Sequence, residues 1–330
     1  MNRFMDLNAK IFVAGHRGLA GSAIVRKLHG LGYGNLVLRT RQELDLQDAN
    51  AVSAFFAEQR PEFVFLAAAK VGGILANRDF PADFIAQNLR IQSNVIESGR
   101  HNDVKRLLFL GSSCIYPKLA PQPISEDQLL AGPLEFTNRS YAIAKIAGIE
   151  MCWAFNRQYG TSYLAAMPTN LYGPGDNYDL AASHVLPALI RKVDEAKRAG
   201  ASTLTVWGTG KPLREFLFSD DMADACVFLL NLPDDEFRRL TGDAEHAPLV
   251  NVGSGSDLSI GELAQKVSDV LGFHGTIVFD TSKPDGTPRK LMDSGRLFSY
   301  GWRPKVSLEE GIRTAHADFL QRTQTKTEQR

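Results

Sequence analysis

Cysteine is scarce in this chain of 330 residues, with only Cys114, Cys152 and Cys226 present. Their spacing fits neither a disulfide framework nor the paired ligands of a zinc site. No metal is expected, and a reducing cytoplasm is the simplest compartment. Long hydrophobic runs are missing too. The longest, such as residues 63–69, is far too short to span a bilayer. The first ten residues have no apolar core, so no signal peptide is expected there. Charge of one sign is not in excess: Lys plus Arg and Asp plus Glu both number 37, giving a formal net charge of zero. Nothing in that balance suggests a nucleic acid or an anionic membrane as partner, and anions must be bound by local sites. Internal repeats and low-complexity tracts are also absent. Hydrophobic residues make up 44% and charged residues 22%, the composition of a soluble globular enzyme of one large or two modest domains. The polar stretch after Gln321 is expected to fray.

What is present begins with a strand, a glycine turn and a helix. Residues 10–15 read as a buried strand running into a turn, Gly15-His16-Arg17-Gly18-Leu19-Ala20-Gly21, with a helical pattern from Ser22 to about Leu31. Glycines permit a tight turn and let phosphate approach the backbone, and the helix N-terminus offers N–H groups and a positive dipole. The spacing is GxxGxxG, and in this context it predicts dinucleotide binding. About twenty residues on, at the end of the second strand, an acid for the ribose is usual. This chain has Arg39-Thr40-Arg41. Guanidinium groups accept a 2′-phosphate that a carboxylate would repel, so Arg39 and Arg41, joined by Arg17, argue for NADP(H) over NAD(H).

Buried strands are then predicted at 62–69, 105–110 and 163–167, separated by helices at 51–60, 81–100 and 141–159. This alternation implies a parallel, doubly wound Rossmann-type α/β sheet. Ligands in such sheets lie beyond the carboxyl ends of the strands. Gly15, Ala68, Ser112 and Pro168 all fall at such ends and should converge on one crevice. Leu110, Gly111 and Ser113 after the fourth strand, and Pro168, Thr169, Asn170 and Leu171 after the fifth, complete the expected cofactor cradle.

Residues 107–145 are the centre of the chemistry. An apolar run stops at Gly111 and is followed by Ser112, Ser113 and Cys114; further on come Tyr141 and Lys145. Tyr and Lys at i and i+4 share one helix face. By itself such a pair is ordinary helix surface, but here it follows a dinucleotide motif. An ammonium beside a phenol favours phenolate, so the Tyr141 pKa is expected to fall from its usual value near 10. A tyrosine so tuned exchanges a proton with an alkoxide, and Ser112 can hydrogen-bond the same oxygen.

The rhythm changes near residue 175. The expected division is an NADP-binding domain over 1–174, with a possible return segment near 214–232, and a smaller α+β substrate domain over 175–330. In the second half Lys192, Trp207, Arg214 and Asp285 are candidates to hold a charged ligand bearing an aromatic ring.

These parts resemble the extended short-chain dehydrogenase/reductase family that acts on nucleotide sugars. The resemblance rests on the glycine turn, on Leu38-Arg-Thr-Arg-Gln-Glu43, Leu66-Ala-Ala-Ala-Lys-Val-Gly-Gly73, Leu110-Gly-Ser-Ser-Cys-Ile-Tyr-Pro117 and Tyr141-Ala-Ile-Ala-Lys145. It rests equally on Pro168-Thr-Asn-Leu-Tyr-Gly-Pro174, His184-Val-Leu-Pro-Ala188 and Lys283-Pro-Asp-Gly-Thr-Pro-Arg289. Together they cover about residues 10–315. The resemblance implies an NADPH-dependent conversion of GDP-4-keto-6-deoxy-D-mannose to GDP-L-fucose, by epimerisation at C3 and C5 and reduction at C4. It implies that Ser112 and Tyr141 hold the C4 oxygen, that Lys145 holds Tyr141 and the nicotinamide ribose, and that Cys114 and His184 form the acid and base pair. His184 also reaches the cofactor. Where the family helps bind the diphosphate with an arginine, this chain has Lys192, which keeps the charge and loses the bidentate fork. A homodimer packed through the 81–100 and 139–159 helices is implied as well. Two other readings share the fold. A 4-epimerase or 4,6-dehydratase retaining NAD is disfavoured by the arginines and by the Cys114–His184 pair. A non-catalytic NADP-sensing protein has no need of Ser112, Tyr141 and Lys145 together.

Overall fold

The computed structural model describes residues 3–180, 183–283 and 285–328. Met1 and Asn2 of the amino-terminal stretch, and Pro284 of the turn-rich loop, lie outside the described residues. The first half alternates strand and helix: β1 (Ile11–Ala14), α1 (Leu19–Gly30), β2 (Leu36–Val37), α2 (Ala49–Gln59), β3 (Phe63–Leu66), α3 (Ile74–Asp79), α4 (Pro81–His101), β4 (Arg106–Leu110), α5 (Arg139–Tyr159) and β5 (Tyr163–Pro168). Every residue of β1, β3, β4 and β5 is buried. That burial explains why these strands read as continuous apolar runs, with helices on both faces. Successive side chains alternate between two cores. Ile11, Val13, Phe63 and Phe65 pack with α1, while Phe12, Ala14, Val64 and Leu66 pack with α2 and α4.

The second half runs β6 (Asn170–Tyr172), α6 (Val185–Arg198), β7 (Thr203–Trp207), β8 (Leu213–Phe218), α7 (Ser219–Leu230), α8 (Asp234–Thr241), β9 (Leu249–Val252), β10 (Asp257–Ser259), α9 (Ile260–Leu271), β11 (Thr276–Asp280), β12 (Arg289–Lys290), α10 (Gly295–Ser299) and α11 (Leu308–Glu328). The main sheet is parallel in the order β2-β1-β3-β4-β5-β9. Two elements of the second half therefore return to it. Helix α7 packs on α1, and β9 adds the sixth strand. Arg106, the one charge in β4, ties this return down. Its guanidinium donates to the carbonyls of Leu230 and Leu232, pairs with Asp234 at 3.2 Å and lies between Phe4 and Phe237.

A second, mixed sheet forms around β8, which pairs with β6, β10 and β12, and a parallel pair joins β7 to β11. A third core, including Leu186, Val193, Leu263 and Ile312, joins α6, α9 and α11 over these strands. Ser259 and Glu262 form a capping box at the start of α9. Helix α11 continues through Glu328, past the point where fraying was expected. Arg322 holds it, pairing with Asp318 and donating to the carbonyl of Asp176. Strand order reverses between β1 and β3, which makes the space beyond their carboxyl ends the crevice where such sheets take ligands.

Candidate active site

The glycine turn lies at that reversal. Gly15 has φ +84°, and a Cβ there would stand 2.7 Å from the backbone nitrogen of Ala68 at the end of β3. Only glycine lets the turn press against the neighbouring strand. Gly18 caps α1 with no side-chain hydrogen bond, and no acid occupies the first turn. The free N–H groups and the dipole of α1 thus face an anion site.

A cavity of about 560 Å³ opens from this turn. It is lined by Gly15, Gly18, Leu19, Ala20, Gly21, Arg39, Arg41, Ala68, Leu110, Gly111, Ser112, Ser113, Cys114, Tyr141, Lys145, Pro168, Thr169, Asn170, Leu171 and His184. Residues expected at four separate strand ends thus do meet in one crevice. Arg39 stacks over Phe55 and donates to the carbonyl of Leu38. Arg41 is exposed and has only a loose contact with Asp45, at 3.8 Å. Arg17 does not line the cavity and is exposed, but its charge, like that of Arg39, reaches Glu43 in the loop that carries Arg41. The Gly18 N–H donates to the Gly15 carbonyl at 3.0 Å and closes the turn that carries Arg17. His16 also stands off the lining, and its Nδ1 is buried without a partner. Burial, then the charge of Arg17, holds that imidazole below its usual pKa. An uncapped helix end, an unpartnered buried ring nitrogen and two guanidinium groups suit a dinucleotide carrying a further phosphate.

Beyond the turn lie the reactive side chains. Gly148 lets α5 approach β4, since a Cβ there would meet the Phe109 ring at 2.5 Å. Gln92 of α4 donates to the carbonyl of Ala144 at 2.7 Å and fixes the same turn of helix. Lys145 is buried as a result, its Nζ donating to the carbonyl of Leu110 at 2.8 Å, 4.6 Å from the Phe109 ring centre and 5.9 Å from that of Tyr141. Ser112 Oγ accepts from the Cys114 backbone N–H and hydrogen-bonds the Tyr141 hydroxyl.

The expected fall of the Tyr141 pKa is not met in the cofactor-free protein. Burial pushes the phenol up, the Cys114 thiol adds to the rise, and the Ser112 hydrogen bond offsets only part of it. Lys145, more fully enclosed than the half-buried Tyr141, is lowered to about 7 by burial. Desolvation penalises both charged forms at once and outweighs the attraction between them. His184 caps α6 at the cavity edge. Its ring keeps solvent access, yet surrounding protein atoms hold its imidazole below the usual value.

Lys192, Trp207, Arg214 and Asp285 do not line this cavity. They form a second group near the ends of β7 and β8. Lys192 and Lys283 lie over the exposed Trp207 ring at 5.0 and 5.6 Å. Asp285 accepts from the N–H and hydroxyl of Thr209, and burial lowers the Arg214 guanidinium while the Asp285 carboxylate opposes that shift.

Three residues were not foreseen: Lys290, which lines the main cavity, and Asn138 and Glu215, which contact residues that do. Asn138 Nδ2 lies 3.2 Å from Cys114 Sγ, and Lys290 Nζ lies 3.9 Å from the same sulfur. Glu215, fully buried, accepts from the N–H groups of Gly255 and Met292 through its carboxylate, while its carbonyl takes bonds from Thr169 and Asn170. Lys290 directly follows the turn-rich run that ends at Arg289, so a signal lay one residue away. Asn138 precedes the helical pattern, and the buried partners of Glu215 come from segments distant in sequence, so neither carries one.

Residues 11–240 match the NAD dependent epimerase/dehydratase family. The chain is 58% identical over 315 residues to GDP-L-fucose synthase 1 of Arabidopsis thaliana, covering 96% of this chain and 94% of that one. Among solved structures it resembles a GDP-L-fucose synthetase from Naegleria fowleri bound to NADP, with TM-score 0.87, 30% identity and coverage of 97% and 95%. It also resembles a GDP-mannoheptose C4 reductase from Campylobacter jejuni with NADP bound, with TM-score 0.85, 40% identity and coverage of 96% and 99%. This chain belongs to the NAD dependent epimerase/dehydratase family.

Proposed function

We propose that this enzyme converts GDP-4-keto-6-deoxy-D-mannose to GDP-L-fucose, epimerising C3 and C5 and reducing C4 with NADPH. The observation that carries the reading is the meeting of Ser112, Tyr141, Lys145, Cys114 and His184 on one cavity that begins at the glycine turn. The names of the relatives support the substrate class, a GDP-linked sugar. Protons at C3 and C5 are acidic because both carbons flank the C4 carbonyl. Removing one leaves an enolate whose oxygen needs donors, and Ser112 and Tyr141 fill that role. Cys114 and His184 exchange the carbon-bound protons from opposite faces of the ring. For the reduction, bound NADPH supplies hydride to C4. Tyr141 gives its proton to the forming alkoxide, and Lys145 orients that hydroxyl. The uncapped end of α1 takes the diphosphate of the cofactor, and Arg39 and Arg41 take its 2′-phosphate. Lys192, Trp207, Arg214 and Asp285 hold the GDP portion of the substrate, with Trp207 under the base and the cations near phosphate.

The test is to mix the protein with NADPH and GDP-4-keto-6-deoxy-D-mannose and identify the product by NMR. GDP-L-fucose supports the reading. GDP-D-rhamnose, formed by reduction without epimerisation, overturns the epimerase half and favours the second reading, a GDP-sugar C4 reductase like the Campylobacter jejuni relative. We also place the enzyme in the cytoplasm, which its three free cysteines support. Pairing of two copies through α4 and α5 is supported by the exposed Phe80, Phe136 and Ile143 beside them. Light scattering of Ile143→Glu at the mass of wild type would refute that pairing.

A further inference from the structure

Strand β12 carries its second residue, Lys290, to the wall of the cavity on the Cys114 side. The backbone on both flanks of Lys290 is fixed without help from its side chain. Arg289 grips Asp257 through two hydrogen bonds, at 2.6 and 3.3 Å. The N–H of Leu291 donates to Gln122 Oε1, its carbonyl accepts from Ile124, and the N–H of Met292 donates to the buried Glu215 carboxylate. Those anchors tie β12 to the loop that follows Cys114 and to β8 together. Lys290 itself makes no ion pair among the described residues; its nearest partner is the sulfur, 3.9 Å from Nζ. A second donor, Asn138 Nδ2, points at the same sulfur from 3.2 Å.

We propose that Lys290 is a positioning residue whose ammonium, together with the Asn138 amide, holds Cys114 as the thiolate that removes a proton from the substrate carbon. An ammonium can only donate, and a thiolate sulfur accepts such a charge-assisted bond far more strongly than the weakly accepting sulfur of a thiol. An opposite charge at this range favours the charged form of a thiol and makes the sulfur the nucleophile and base. Tyr141 of α5 interacts with Cys114, and the other titratable groups on this part of the cavity are Lys145 of α5 and His184 ahead of α6. Lys145 is spent on the Leu110 carbonyl, which leaves Lys290 as the cation aimed at Cys114. In the step, the C–H bond breaks, an S–H bond forms, and the electron pair passes into the C4 carbonyl as an enolate. The catalytic part rests on the epimerase reading above; the Lys290–Cys114 pair does not.

The first test needs no substrate. Cys152 and Cys226 are fully buried, so alkylation of the native protein by iodoacetamide reports on Cys114. In Lys290→Met the alkylation rate at pH 7 falls about tenfold or more, one decade for each unit that an opposite charge within this range contributes. Its pH profile moves to the alkaline side. Lys290→Arg restores both, and NADPH titration stays at the wild-type value in both variants. Lys290→Gln replaces Lys290→Met if the latter loses NADPH binding. Solvent deuterium exchange into GDP-4-keto-6-deoxy-D-mannose is then measured with each protein and falls in parallel. Unchanged alkylation in Lys290→Met overturns the pair whatever the exchange does. Slowed alkylation with no exchange even in wild type sustains the pair and removes the epimerase reading instead.

Discussion

Gly21 is the third glycine of the turn and lies inside α1, where helix propensity favours alanine by about 1 kcal/mol. The geometry opposes that preference. A Cβ at Gly21 would stand 2.1 Å from the Gly15 carbonyl oxygen, 2.6 Å from its carbon and 3.0 Å from the His16 Cα. All three are backbone atoms of the turn, so no side chain can swing aside. Restoring contact distance needs a shift of about 1 Å, either of α1 or of the turn. Moving α1 strains the packing of Ala23, Ile24 and Leu28, all fully buried. Overpacking of this kind costs roughly 1–3 kcal/mol, and a backbone obstacle belongs at the upper end. Gly21→Ala is therefore expected to lose about 2 kcal/mol net. Opening the turn also displaces the N–H groups of α1, so NADPH binding weakens at least tenfold. Gly30→Ala, at the other end of the same helix, meets nothing within 4 Å and gains up to about 1 kcal/mol. The assay is urea unfolding of both variants, with NADPH fluorescence titration. Gly21→Ala as stable as Gly30→Ala, with NADPH affinity intact, would refute the close-approach argument.

Arg41→Asp is expected to weaken NADPH at least tenfold and leave NADH nearly unchanged, because a carboxylate replaces a cation at the cavity mouth; equal weakening in parallel titrations would move the 2′-phosphate elsewhere. Cys114→Ser should abolish solvent deuterium exchange into the substrate while NADPH binding persists, and wild-type exchange by NMR would remove Cys114 from the mechanism. Lys145 gives a pH prediction for the cofactor-free protein. Its folded pKa, about 7, is below the unfolded value, so the unfolded chain binds more protons between about pH 7 and 10 and stability rises with pH there. The buried ammonium is a full burden below pH 7, roughly 5 kcal/mol. Lys145→Met should thus be favoured over wild type most at low pH, and the gap in unfolding free energy should narrow as pH rises to 10. A gap constant with pH would refute a depressed Lys145.

The doubly wound sheet was legible because its strands are buried on both faces and its glycine turn has strand before and helix after. The crevice was legible for a geometric reason, since parallel strands deliver Gly15, Ala68, Ser112 and Pro168 to one edge whatever the side chains do. β9 was read as a strand, but its place in the main sheet was not: Leu249–Val252 carries no mark of which sheet it joins, and it is the ladder with β5 that sets it there.

The sign of the Tyr141 shift shows where sequence reasoning stops. Spacing puts Tyr141 and Lys145 on one face, and a through-space charge argument then lowers the phenol. That argument assumes the ammonium is present and the solvent is not. In the folded protein α5 approaches β4 so closely, at Gly148 against Phe109, that Lys145 is enclosed together with its neighbour. Enclosure acts on each group alone, and for two groups of opposite charge it raises one pKa and lowers the other. The pair is thereby driven towards its neutral form, phenol and amine, which differs from the ion pair by one proton transfer. A phenol that still holds its proton suits the reductive half-reaction, because Tyr141 is then ready to donate to the C4 oxygen. Cys114 differs from that pair in keeping some solvent access, and it has a cation of its own close by, the Lys290 ammonium 3.9 Å from its sulfur.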